Sequence, residues 1–146
     1  MDLALVWLHV SGNIVWIGSI LAVGLVLLGG RGEPKTRGAI ASDIYRRLAV
    51  PAFVVSFVCG AIRLGLDVPY YLQQHHWMHA KLPLALGVIA LHHVIGARAR
   101  RASAADAAGN TSAGSVQEPG PAGILTVVLG VAAVGAAFFA IFKIPR

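Results

Sequence analysis

The chain has 146 residues, of which 57% are hydrophobic and 12% charged, and its mean hydropathy is +0.73. A water-soluble domain carries about 25% charged residues, so a conventional soluble globule, a disordered chain and a collagen-like repeat are excluded. One cysteine excludes a disulfide scaffold or thiolate metal cluster, and the net charge of +6 with a pI near 10.3 reports membrane orientation before nucleic acid.

Four apolar segments follow in chain order: Leu3–Leu28, Leu48–Leu66, Trp77–Ala97 and Pro121–Lys143. Each is long enough for ~30 Å of hydrocarbon at 1.5 Å per residue. Backbone polar groups must be satisfied inside each segment, and four spans are too few for a closed barrel, so the spans are helices. The expected fold is an all-α membrane protein, a four-transmembrane-helix bundle forming one domain. The first segment opens with Asp2 and is too long for the apolar core of a cleaved signal peptide.

The loops set the orientation. The first holds Arg31, Lys35, Arg37, Arg46 and Arg47, and the third begins with Arg98, Arg100 and Arg101. The second, Asp67 to His76, has no Lys or Arg. The positive-inside bias places loops one and three in the cytoplasm and both termini on the outer side of the inner (plasma) membrane. Residues 99–120, rich in Ala, Gly and Ser, read as a flexible cytoplasmic loop. The sequon at Asn110-Thr111-Ser112 is accidental on that side, and no internal repeat is visible.

Ionisable residues inside a span are costly and mark function by default. They are His9, Arg63, His79, Lys81, His92, His93 and, near an end, Lys143. His9, Arg63, the pair His79 and Lys81, and Lys143 bring basic or imidazole groups from all four helices to the outer end. Asp67, four residues after Arg63, is the nearby acid and a partner for it. His9 shares a helix face with Asn13 and Trp16, completed by Gly12.

Two neutral imidazoles at matched depth suit the axial positions of a b-type haem. Cations beside them suit tetrapyrrole carboxylates. His9 and His79 are therefore the metal-ligand candidates, with Trp16, Asn13, Arg63 and Lys81 around the cofactor. His92 and His93 follow His79 by 13 and 14 residues. A second haem there lacks a partner imidazole, so His92 reads as a polar group of the bundle interior or a proton carrier.

Each residue also has a plainer reading. His9 is equally an interfacial residue, Lys81 a snorkelling one, and Trp77, Tyr70 and Tyr71 an aromatic belt. Cys59 reads as a small buried apolar group, and Gly12, Gly18 and Gly24 as close-packing positions.

Several blocks resemble the HemJ-type membrane protoporphyrinogen IX oxidases of bacterial haem synthesis. They are His9-Val10-Ser11-Gly12-Asn13-Ile14-Val15-Trp16, Tyr45 with Pro51, and Trp77-Met78-His79-Ala80-Lys81-Leu82 followed by His92 and Gly96. Together they cover roughly residues 5–98. Departures are Asp43 where the family usually has arginine, Leu91 where it has tyrosine, and Gln117-Glu118-Pro119-Gly120-Pro121 in place of Asn-Glu-x-Pro.

The resemblance implies oxidation of protoporphyrinogen IX to protoporphyrin IX through bound haem b. A quinone or respiratory acceptor takes the electrons, His9 and His79 bind iron, and Lys81 and His92 serve catalysis. Two other readings stand beside it. One is a copper-handling protein resembling the copper-resistance D family, using His9, His75, His76, Met78 and His79. The other is a non-catalytic subunit of a larger membrane complex. A homo-oligomer suits all three. No hydrolase triad, carboxylate dyad or phosphate-binding loop is visible.

Overall fold

The computed structural model describes residues 3–28, 33–74 and 77–107, and every element among them is helical. Helix α1 covers Leu3–Leu28, the range of the first apolar run. Helix α2, Pro34–Ile44, opens with Pro34 after the extended Glu33, where a proline loses no helical hydrogen bond. It passes without a break through a π-helical turn, Tyr45–Ala49, into helix α3, Val50–Leu66. A second π-helical turn, Tyr70–Gln74, precedes helix α4, Trp77–Ala107.

Two boundaries differ from the sequence expectation. Helix already starts at Pro34, ahead of the expected second span, and carries Lys35, Arg37, Arg46 and Arg47 of the expected first loop, while Arg31 lies outside the described residues. Helix also runs past Ala97, the expected end of the third span. Helix α4 continues to Ala107, so the first nine residues of the expected flexible loop 99–120 are helical. The fourth expected span, Pro121–Lys143, lies outside the described residues, as do His75, His76 and the sequon.

The first π turn has a local cause. Pro51 has no N–H, and its ring clashes with the carbonyl four residues back, at Arg47. The ladder widens by one residue just before it, so that the Val50 N–H reaches the Tyr45 carbonyl. Such widening rotates Tyr45 relative to the apolar face of α3, which lets its ring point into the bundle.

Three helices are long and apolar enough to cross a membrane: Leu3–Leu28, Thr36–Leu66 and Met78–Ala104. Their outward faces carry large apolar side chains, with Trp7 74% and Leu66 72% exposed. Surfaces of that kind mark contact with lipid or another apolar phase. The chain is thus compatible with a multi-pass membrane protein.

Contacts run antiparallel between α1 and α3, His9 meeting Ser56 and Gly60 while Trp16 meets Phe53. Gly12 is buried where the two backbones approach, with Ser56 opposite. Gly18, expected at a packing surface, is exposed with nothing near it among the described residues. The apolar core gathers Trp16, Ile20 and Val23 of α1, Ala41, Tyr45 and Ala49, and Val88, Leu91, Ile95 and Ala99 of α4. This packed region forms the Tyr45 end of the bundle, opposite the Asp67 end.

Candidate functional site

At the Asp67 end, His9 projects from α1 onto the small-residue face of α3. Its ring lies against Gly60, where an added Cβ would fall 2.7 Å from Cε1 and 2.8 Å from Nδ1. The site therefore needs glycine opposite the imidazole. His9 Nδ1 lies 2.8 Å from the Ser56 carbonyl oxygen, which can only accept. Nδ1 thus carries the proton in the neutral ring, and Nε2 presents a lone pair. The Asn13 side-chain amide donates to that lone pair across 3.2 Å. Ser56 is buried, and its hydroxyl donates to the His9 carbonyl at 3.2 Å, tying α3 back to α1.

The predicted cations Arg63 and Lys81 lie towards this same end, past Gly60 on α3 and near the start of α4. Arg63, one turn beyond Gly60, donates to the Tyr71 hydroxyl and lies 5.9 Å from that ring's centroid. Lys81 enters from α4 and is half-buried. Asp67 does not take the partner expected of it: its carboxylate accepts the Tyr70 N–H at 3.1 Å, starting the second π turn.

His79, the second predicted ligand, is exposed. Its Nε2 donates to the Leu72 carbonyl at 2.8 Å, tying the start of α4 to the second π turn. His9 and His79 thus answer to different neighbours, the first to α3 and the second to the turn before its own helix. Met78, beside it, is buried. Among the described residues no group of three or more His, Cys, Asp or Glu side chains comes together.

His92 sits at the other end and is 2% exposed. The Trp16 indole N–H donates to its Nδ1 at 3.1 Å, so the proton of the neutral ring is on Nε2. Nε2–H then donates to the Tyr45 hydroxyl oxygen at 3.1 Å. Phe53 and Tyr45 stack on the imidazole with centroids 4.8 and 4.9 Å away. The Tyr45 ring occupies the space over Gly96, where a Cβ would overlap Cζ and Oη, and Arg100 covers it at 5.8 Å. His92, Gly96 and Arg100 recur every four residues and form one stripe under that ring.

Both His92 nitrogens are therefore engaged, and indole is a donor that cannot accept a proton. In this arrangement His92 is a packing node joining α1, the first π turn and α4. Trp16 belongs to this node and Asn13 to His9, so the shared face of α1 serves two sites. The structure adds Ser56, Gly60 and Phe53 to the residues named from sequence, and gives Tyr71, read there as part of an aromatic belt, a hydrogen bond from Arg63. Ala49, Ala52, Ser56 and Gly60, small residues at helical spacing, were the available signal for that face of α3. Comparison with protein-family models, curated proteins and solved structures finds no match.

Proposed function

We propose that the chain is a four-span inner-membrane oxidoreductase that holds haem b through His9 and oxidises a tetrapyrrole, protoporphyrinogen IX being the substrate the resemblance implies. One observation carries the reading: His9 gives its Nδ1 proton to a backbone carbonyl and keeps Nε2 bare of hydrogen. That is the orientation a histidine adopts to ligate a metal, its other nitrogen fixed by a carbonyl. The donor set fits the group. A single well-held imidazole stands beside the Arg63 and Lys81 cations, and both suit a macrocycle bearing carboxylates.

Haem bound there supplies a one-electron carrier between substrate and a quinone or respiratory acceptor. The chain's own residues bind and orient. Ser56 fixes the His9 tautomer, and Gly60 lets the ring lie close to α3. Asn13 holds Nε2 until a ligand displaces its amide. Arg63, aimed by Tyr71, and Lys81 receive carboxylates. His79, at the start of α4, would supply a second imidazole to the group. The bilayer part of this reading places both termini outside, with the arginines of the Tyr45 end in the cytoplasm.

Protein purified in detergent from haem-replete cells tests it. A reduced-minus-oxidised spectrum with b-type bands is expected, lost in His9→Ala and kept in His92→Leu. A colourless wild-type preparation, or bands that survive His9→Ala, overturns the assignment. With haem in place, protoporphyrinogen and a quinone should yield protoporphyrin fluorescence. Haem without that activity marks the non-catalytic subunit instead.

A further inference from the structure

Beyond the haem site, the fold assembles a second charged feature from residues more than fifty positions apart. Tyr45 reaches α4 at Gly96 and Arg100, so the residues after Tyr45 stand level with the last apolar turn of α4. Arg46 and Arg47 follow Tyr45, and Arg98 and Arg101 flank Arg100; all five are exposed. One carboxylate among the described residues at this level, Asp43, meets them, and it pairs with Arg47 at 3.1 Å. Arg100 rests on the Tyr45 ring. Immediately towards the Asp67 end, Leu48 and Val94 are exposed apolar residues, 51% and 46%.

Guanidiniums from two packed helices thus form a belt where the lipid-facing surface gives way. We infer that this belt binds the phosphates of anionic phospholipid headgroups. The inference rests on the membrane reading of Proposed function but not on haem. Guanidinium matches phosphate with paired donors. Basic residues at a bilayer surface attract anionic lipid by about fivefold in local partition per residue. An orientation signal alone requires positive charge near the span; it does not require retention of a lipid class by the folded protein.

The test is native mass spectrometry of the full chain released from mixed micelles holding equal phosphatidylglycerol and phosphatidylcholine. Phosphatidylglycerol adducts should exceed phosphatidylcholine adducts at least about fivefold. The triple variant Arg46→Gln, Arg98→Gln, Arg101→Gln should lower that ratio towards one, while the corresponding lysine triple, which keeps the charge but loses the paired donors, should fall between the two. Equal adducts on wild type, an unchanged ratio in the glutamine triple, or a short nucleic acid that displaces the lipid each overturns the proposal. Alkaline-carbonate extraction of native membranes separates the premise: a chain released by carbonate overturns the membrane reading, whereas a pelleted chain with equal adducts overturns the lipid site alone.

Discussion

The two ends of this bundle treat a histidine in opposite ways. His9, half-buried, offers a lone pair met only by an amide from its own helix, four residues on. His92, nearly inaccessible, is held by an indole from α1 and a phenol from the first π turn, and is stacked with the Tyr45 and Phe53 rings. A ligand at His9 has one weak bond to displace, while a ligand at His92 would dismantle a three-way junction. Depth in the membrane does not make a histidine a cofactor ligand; the partners of its two nitrogens decide.

The sharpest way to break the contrast is at the sealed end. Gly96→Ala puts a Cβ into the Tyr45 ring, and overpacking of this kind costs about 3 kcal/mol. Thermal unfolding in detergent should show a large drop in midpoint. A neutral Gly96→Ala would mean that Tyr45 does not occupy the stripe. Next comes His92→Leu, which leaves the Trp16 N–H and Tyr45 hydroxyl without their partner, about 2 kcal/mol in all. Adding Trp16→Phe should cost much less than it does alone, because the donor then has nothing to lose. Additive losses would show that the two residues do not share a hydrogen bond.

At the open end the expected stability loss is smaller and the functional loss larger. Gly60→Ala forces the His9 ring to move by several tenths of an ångström, at a cost of about 1 kcal/mol. Under the proposed haem assignment, haem retention should nevertheless fall steeply, since the ring is displaced from its carbonyl. If Gly60→Ala keeps its haem while His92→Leu loses it, the assignments of the two histidines are reversed.

How much of this was legible depends on the range of the interaction. The extent of α1 is written in one uninterrupted apolar run. The early start of α2 was also written, in Pro34 after Glu33, but the basic residues that follow look like loop when only hydropathy is weighed. Helix α4 outruns its apolar stretch because Ala102, Ala104, Ala105 and Ala107 favour helix even where the segment is polar. The face shared by His9 and Asn13 follows from spacing, and the structure joins them. That Trp16 leaves this face for His92, 76 residues away, follows from packing that no local pattern encodes.

The smallest effect is expected at Asp43, where the resembled family has an arginine. Its carboxylate accepts from Arg47 across the first π turn, and both side chains are exposed, 61% and 77%. Pairs of that kind contribute about 0.5 kcal/mol or less, since water screens them and ordering two side chains costs entropy. Asp43→Asn should therefore leave the unfolding midpoint and haem content almost unchanged. The π turn is dictated by Pro51, whose effect on the ladder is steric and indifferent to surface charge. A loss well above 1 kcal/mol would mean that the ion pair, and not the proline, holds Tyr45 over Gly96. The sealed end would then depend on an exposed contact, and high salt should loosen it.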